Sequence, residues 1–409
     1  MQFLMSFVGM AVLICLALLL SENRRAIRLK TVVPAFLTQA AIAGLILYFP
    51  PGQAFLNTMV AGVQNVIDYG RVGAEFVFGD LARDNGGFSI AFHLLPVIIF
   101  FSALMSTLYY LGIMQKLITI LGGGIHRLLG TSKTESMCAV ANIFIGHSES
   151  PLVIRPYLKD LTRSELFAVM TGGMAAISGA IMAAYAAMGI NLGYLIAASF
   201  MAAPGGLLMA KIIKPETGRT EQEIENVQFS GPKKVVNIFE AIGNGTIDGL
   251  KLAANVGAML IAFVAMIALV NGLLGGIGGW FGMEDLTLQG ILGKLLAPLA
   301  WLIGVPWHEA AAAGSLIGQK FIMTEFIAYL SFSEIMHSLS RHTQVIVTFA
   351  LCGFANLTSI AILLGGMGSL VPERRQDIAS LGFMAVLAGT LSNLMSAVLA
   401  SLFMSLQAY

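Results

Sequence analysis

Eight long apolar runs, near residues 3–21, 31–49, 91–114, 165–189, 191–213, 250–274, 342–368 and 378–405, constrain this chain more than anything else in it. Each carries at most one charged residue. A helix needs about 20 predominantly apolar residues to cross the hydrocarbon core of a bilayer. In lipid, backbone N–H and C=O groups find partners only within helices or closed barrels. The rest of the sequence cannot rescue a water-soluble reading. Charged residues make up 11% of the chain and hydrophobic ones 57%, whereas a soluble domain carries about 25% charge. A single water-facing core also stops growing near 250–300 residues, and this chain has 409. The fold class is therefore an all-α polytopic membrane protein. The first run follows Met1-Gln2-Phe3, without a basic segment before it or a small-x-small cleavage site after it, so it reads as a retained helix.

Between the runs lie segments too broken or too polar to cross. Residues 53–78 set Asp68, Arg71 and Glu75 among apolar positions, as a helix lying in the interface would; residues 286–304 have a similar character. Residues 215–235 form the one long polar segment, a solvated loop. Arg24, Arg25, Arg28 and Lys30 place the first loop in the cytoplasm and the N-terminus outside. Counting forward from there puts Lys116, Arg127, Lys133, Arg163, Lys211, Lys214, Lys233, Lys234, Arg374 and Arg375 on the same inner side, in agreement with eight spans. The net charge of +1 gives no footprint for nucleic acid. Cys15, Cys138 and Cys352 stand far apart in apolar surroundings and read as small core residues.

Two segments fit no simple span. Residues 134–160 and 305–333 each have an apolar approach, a polar centre and a second limb, and are expected to be re-entrant helical hairpins. Each precedes a span with small and polar residues in its middle, 171–189 and 351–368. Aligning Gly173 with Gly353 also pairs Ala175 with Ala355, Ala176 with Asn356 and Ser178 with Thr358. The unit of hairpin, broken span and span thus occurs twice, about 180 residues apart, and the orientation count makes the two copies inverted. Inverted repeats with broken helices at matching positions point to the midplane site of a secondary transporter. Unwound backbone is tolerated at that depth only where it lines a cavity or holds a solute.

Each hairpin carries a glutamate in its centre, Glu149 in Gly146-His147-Ser148-Glu149-Ser150 and Glu325 in Met323-Thr324-Glu325-Phe326. A carboxylate at bilayer depth costs about 2.5–3.5 kcal/mol on insertion scales, so two in matching places are expected to work. The alternative is that the tips are loops in water. Asn356, Thr358 and Ser359 interrupt the following span; alone they would read as hydrogen-bonding glue between helices. Asn142 lies two helical turns before Glu149, as a ligand for a hard cation or as a structural amide. His308, Glu309, Trp301 and Trp307 suit an interfacial position, and Arg155, Lys159 and Arg163 an anchor at the inner face. No hydrolase, phosphate-loop or dinucleotide motif is present, so the chain is not read as an enzyme. Ser148 has no arranged base, because adjacent His147 is not expected to face the same way as both Ser148 and Glu149. A channel would favour rings of like groups, which two asymmetric hairpins do not supply.

The residues resemble the concentrative nucleoside transporter family over nearly the whole chain. The segment GHSESPLVIRPYL (146–158) is close to its G-Q-[ST]-E-x-P pattern and GFANLTSI (353–360) to its G-F-A-N-x-x-S-[IL] pattern, while GSLIGQKFIMTEFIAY (314–329), preceded by WLIGVPW (301–307), looks like its second hairpin. The resemblance implies a homotrimer in a bacterial inner membrane that imports nucleosides, uridine-like pyrimidine nucleosides foremost and purine nucleosides after them, down a sodium gradient. It implies a scaffold part over 1–130, a first transport repeat over 131–214, a loop, scaffold span and interfacial helix over 215–304, and a second transport repeat over 305–409. It assigns the nucleobase to His147, Ser148 and Glu149 and the ribose to Glu325, Asn356 and Ser359, with Phe354 packing nearby. The ion falls to Asn142, the backbone of Ile145, and Ala176 and Ile177. Two departures stand out. His147 replaces the usual Gln, and Ala176 stands where sodium-coupled members offer a hydroxyl. A proton-coupled carrier, or a carrier of a modified nucleoside, is the alternative.

Overall fold

The computed structural model describes residues 2–83, 89–218, 235–280, 282 and 286–407. No strand occurs among them, and almost everything is helix: α1 (Gln2–Leu19), α2 (Leu29–Leu47), α3 (Pro50–Phe78), α4 (Leu95–Tyr110) entered through a single π turn, α5 (Ile113–Leu129) and α6 (Lys133–Ala141). After a 3-10 segment (Ser150–Asp160) come α7 (Arg163–Ala175), α8 (Gly179–Ala187), α9 (Leu192–Ile213) and α10 (Ile238–Gly279). The chain closes with α11 (Leu288–Leu302), α12 (Trp307–Ile322), α13 (Glu325–Ile335), α14 (Arg341–Leu351), α15 (Thr358–Leu370) and α16 (Arg375–Gln407).

The centre is built from α7, α9, α14 and the C-terminal two-thirds of α16, where most side chains are buried. The outer helices α3 and α10 keep large apolar side chains exposed, Phe76, Ile261 and Leu273 among them. Such a surface suits lipid or a partner chain, not water. α10 lies against α4 along Ala241, Gly245, Gly249 and Ala253, one small residue every four. A Cβ on Gly245 would come within 2.6 Å of the Ser106 Cβ, and one on Gly249 within 2.7 Å of the Ser102 Cβ. Small residues at this spacing let membrane helices approach to backbone contact.

Both sequence segments with a polar middle are two helices with an unwound join. Residues 176–178 separate α7 from α8, and residues 352–357 separate α14 from α15. Ser178 caps α8 by accepting from the Ile181 N–H at 3.4 Å, which stops α7 and restarts the chain as a new helix. Residues 305–333 are likewise two helices, α12 and α13, joined at Met323-Thr324, with Thr324 capping α13.

The structure departs from the sequence reading in several places. The second limb of the first hairpin is a 3-10 segment with non-helical backbone at Ile154 (φ −114°, ψ 19°), not an α-helix. Pro151 and Pro156 remove two backbone donors from the segment. α5 was not foreseen at all. It is amphipathic, with Met114, Ile118, Gly122 and Leu129 inward, and its glycines and charges hid a helix of ordinary period. α10 runs well beyond 250–274 at its N-terminal end. Among the described residues six helices are long and apolar enough to cross a membrane, seven if α11 and α12, bent by 114°, form one span. α1 and the halves of the α14–α15 pair are shorter than that standard. Lys211 and Lys214, counted above as loop charges, are buried in ion pairs with Glu135 and Glu22. Lys233 and Lys234, and most of the 215–235 loop, lie outside the described residues.

Candidate solute site

A cavity of about 670 Å³ opens where the turn of the first hairpin, the start of α13, the α14–α15 break and the inner faces of α4 and α10 meet. All seven residues expected to touch solute line it: His147, Ser148, Glu149, Glu325, Phe354, Asn356 and Ser359. They come from segments up to about 210 residues apart in the chain, so the convergence is a property of the fold.

On the side of the second repeat every polar group is bonded. Glu325 is the first residue of α13, where the helix dipole favours a carboxylate. Its Oε1 accepts from the Tyr185 hydroxyl at 3.2 Å and its Oε2 from the Asn356 amide at 2.8 Å. The Asn356 Oδ1 accepts from the Thr358 hydroxyl (2.6 Å), the Ser359 N–H (2.9 Å) and the Ser359 hydroxyl (3.0 Å), and so caps α15. Tyr185 is itself wedged against Tyr329, with ring centroids 4.2 Å apart. A carboxylate has about four acceptor sites, so Glu325 keeps two for a ligand. The Asn356 oxygen is saturated, but its second amide proton is not.

The side of the first repeat is less complete. His147 is buried with its ring 4.8 Å from that of Phe354, and neither ring nitrogen has a protein partner. The His147 backbone is pressed on α7, since a Cβ on Gly173 would lie 2.7 Å from the His147 Cβ. Ser148 faces Gly366 of α15. Glu149 is the one exposed member of the seven and feels the charge of Asp248 on α10, which lines the same cavity. The turn after α6 is neither helix nor strand, and it brings His147, Ser148 and Glu149 to the cavity against different neighbours. No hydrogen bond joins them into a triad, and Ser148 remains without a base.

The four residues expected at the ion lie beside this turn. Asn142 ends α6 and lies against Gly172 and Gly173 near the end of α7. Its Nδ2 donates to the Cys138 carbonyl at 2.9 Å, while its Oδ1 is buried with no protein partner. Ile145 is buried in the hairpin turn, which hooks onto the α7–α8 join through the Gly179 N–H donating to the Phe144 carbonyl at 3.1 Å. Ala176 and Ile177 form the join itself, and the Ala176 carbonyl accepts from the Phe354 N–H at 3.2 Å. That bond ties the α7–α8 join to the α14–α15 join. A buried orphan oxygen among unwound backbone suits a hard cation, although Ala176 adds no side-chain oxygen.

Sequence reading missed Tyr185, Asp248, Lys320 and Asn393. Asp248 fell outside because the apolar run was started at residue 250. Tyr185 and Asn393 sit singly in apolar helices and give no sign of the partners that the fold brings to them. Lys320 alone had a signal, a cation within an apolar hairpin limb.

Comparison with known proteins identifies the family. Family models described as the Na+ dependent nucleoside transporter N-terminus and C-terminus match residues 8–81 and 194–401, and one described as nucleoside recognition matches 91–192. The chain is 51% identical over 417 residues to the nucleoside permease NupC of Helicobacter pylori, covering 99% of each. It is 37% identical to the sodium/nucleoside cotransporter 1 of Rattus norvegicus, over 98% of this chain and 63% of the rat protein. Among solved structures it matches CNTnw in an inward-facing substrate-bound state, with a TM-score of 0.95 at 52% identity over 100% of this chain and 99% of that one. The chain belongs to the concentrative, sodium-dependent nucleoside transporter family, whose members are integral membrane permeases and not enzymes.

Proposed function

We propose that this chain imports nucleosides by symport with sodium, uridine-like pyrimidine nucleosides foremost and purine nucleosides after them. The observation that carries the reading is the convergence of His147, Ser148, Glu149, Glu325, Phe354, Asn356 and Ser359 on one cavity. Glu325 accepts from the vicinal ribose hydroxyls with its two free acceptor sites. Asn356 donates its second amide proton, and the Ser359 hydroxyl oxygen accepts. His147, Ser148 and Glu149 bond the edge of the base, and Phe354 packs on the nucleoside between them.

Sodium acts as co-substrate at Asn142, the backbone of Ile145, and Ala176 and Ile177. Support comes from the orphan Oδ1 of Asn142 and from the hydrogen bond that anchors the hairpin turn to the α7–α8 join. An ion there draws the turn against the join and completes the base half of the site, so ion and solute strengthen each other's binding equally. One charge crossing the field adds about 2.3 kcal/mol per 100 mV, roughly fifty-fold in concentration.

The architecture we assign to this work has eight spans, two re-entrant hairpins in inverted repeats and interfacial helices at 53–78 and 286–304. Residues 1–130 and 215–304 serve as scaffold, and 131–214 and 305–409 as transport repeats, within a homotrimer of the bacterial inner membrane whose N-terminus lies outside. The bases of the two hairpins support the repeat. Glu135 of α6 pairs with Lys211 at 2.7 Å, and the same Lys211 donates to the Ser164 hydroxyl at the start of α7 (3.0 Å). Glu309 of α12 accepts from the Ser340 N–H at the start of α14 (2.8 Å). In both, a carboxylate at the hairpin base is linked to the start of the next span, directly in the second repeat and through Lys211 in the first.

Uptake of labelled uridine into proteoliposomes under an imposed sodium gradient, and separately under a proton gradient, tests the proposal. Sodium-driven accumulation is expected. Accumulation under the proton gradient alone would move the coupling to protons, and no uptake of any nucleoside under either gradient would refute the reading.

A further inference from the structure

Lys320 lies in α12, five residues before Glu325, and is 2% exposed. Its Nζ donates to the Ala350 carbonyl at 2.9 Å and to the Asn393 Oδ1 at 2.7 Å. Ala350 is the penultimate residue of α14, so the ammonium sits at the open carbonyl end of that half-helix, where partial negative charge collects. Asn393, on α16, turns its amide the other way. Its Nδ2 donates to the Cys352 carbonyl at 2.8 Å and to the Ala175 carbonyl at 2.7 Å, the latter at the end of α7. One lysine and one asparagine thereby gather the broken ends of both interrupted spans. A Cβ on Gly353 would lie 2.3 Å from the Asn393 Oδ1, so the path between them admits no side chain.

The first repeat has a comparable place with different contents: Asn142 ends α6 against the last turn of α7, as Lys320, in the last turn of α12, reaches the last turn of α14. Asn142 lies against Gly172, its Nδ2 3.5 Å from where a Cβ would be, as Lys320 lies on Ala350. Yet the Asn142 Oδ1 is a buried acceptor without a protein partner, whereas the Lys320 ammonium is engaged with two acceptors. One position offers oxygen and wants a cation; the other brings its cation with it.

We propose that Lys320 is a tethered cation, a positioning residue that does permanently for the second repeat what a bound sodium ion does for the first. The inference rests on the reading of Glu325 as a ribose-binding group. A neutral amide donor could serve one carbonyl and one amide oxygen at far lower burial cost. What the charge adds is attraction to Glu325, whose carboxylate feels Lys320 across the Met323-Thr324 turn. Lys320 thus holds the α14 break, through Asn393, to the α7 break behind Glu325, whether or not sodium is present. This is why the second repeat is fully bonded without an ion.

The test uses the purified full-length protein in detergent, with Lys320→Met, Glu325→Gln and the double variant, and reads the thermal unfolding midpoint with and without sodium. Lys320→Met is expected to lower the midpoint in the wild-type background and to lower it by roughly half as much or less in the Glu325→Gln background, because the two charges act on each other. The rise in midpoint on adding sodium should survive Lys320→Met. An equal loss in both backgrounds, or loss of the sodium-induced rise, would overturn the proposal. If Lys320→Met alone yields no folded protein, recovery of a folded double variant supports it and an unfolded double variant overturns it. Uridine titration of the same samples should show roughly tenfold weaker binding for Lys320→Met, the worth of one buried charge-assisted contact, and unchanged affinity would overturn it. A wild-type protein that binds no nucleoside would refute the nucleoside reading alone, because the unfolding cycle would still report on Lys320.

Discussion

The two walls of the cavity, one built around Glu325 and one around Glu149, are finished to different degrees. In the second repeat Glu325, Asn356 and Ser359 bond one another and Tyr185, and Lys320 and Asn393 close the broken helix ends behind them. In the first, the Asn142 Oδ1 and both ring nitrogens of His147 are buried without protein partners, and Glu149 is exposed near the like charge of Asp248. Buried polar groups left unbonded cost about 1–3 kcal/mol each. A site so divided keeps one wall preorganised and leaves the other to be completed by what binds. That division is a physical route to coupling, since a ligand that completes the loose wall raises affinity for whatever else touches it.

The largest effect should come from breaking the finished wall. Glu325→Gln removes an ionised acceptor, and a hydrogen bond to a charged group is worth about 1.5–3 kcal/mol, so uridine affinity should fall roughly 10- to 150-fold in calorimetric titration. A change under about threefold would take Glu325 out of the site. Asn142→Ala strikes the unfinished wall. It should leave uridine binding without sodium unchanged while abolishing the sodium-dependent gain, a coupling of about 1–3 kcal/mol. Persistence of the full gain would mean that the ion lies elsewhere.

These contrasts were only partly legible in the sequence. Run length and missing charge made α2, α4, α9 and α16 plain, because hydrophobic length is read residue by residue. The hairpins were legible because glutamates do not enter apolar runs without reason. α5 escaped because an amphipathic period of 3.6 diluted by glycine falls below any measure of uniform hydropathy. The irregular limb 150–160 escaped because two prolines forbid a regular helix without saying what replaces it. The bonds that distinguish the two walls were out of reach altogether. Lys320 with Ala350 and Asn393, or Tyr185 with Glu325, join residues 30 to 140 positions apart, and no local pattern encodes such a meeting.

Smaller effects sharpen the comparison. His147→Gln supplies an amide where the imidazole packs against Phe354, and it should change the ratio of purine to pyrimidine affinity by roughly three- to tenfold, the worth of one hydrogen bond. An unchanged profile across nucleosides would reduce His147 to packing. Ala176→Ser adds one oxygen at the α7–α8 join and should lower the sodium concentration for half-maximal uridine binding by a few-fold, about the worth of one neutral contact. Sodium dependence identical to that of the parent would show that the side chain at 176 points away from the ion.

The central claim, that one wall is complete and the other is completed by the ion, is tested most directly by measuring the uridine dissociation constant of the purified protein across a sodium titration at constant ionic strength. The constant should be weak but finite without sodium, tighten about 5- to 150-fold as sodium rises, and then level off. Affinity independent of sodium would contradict the claim.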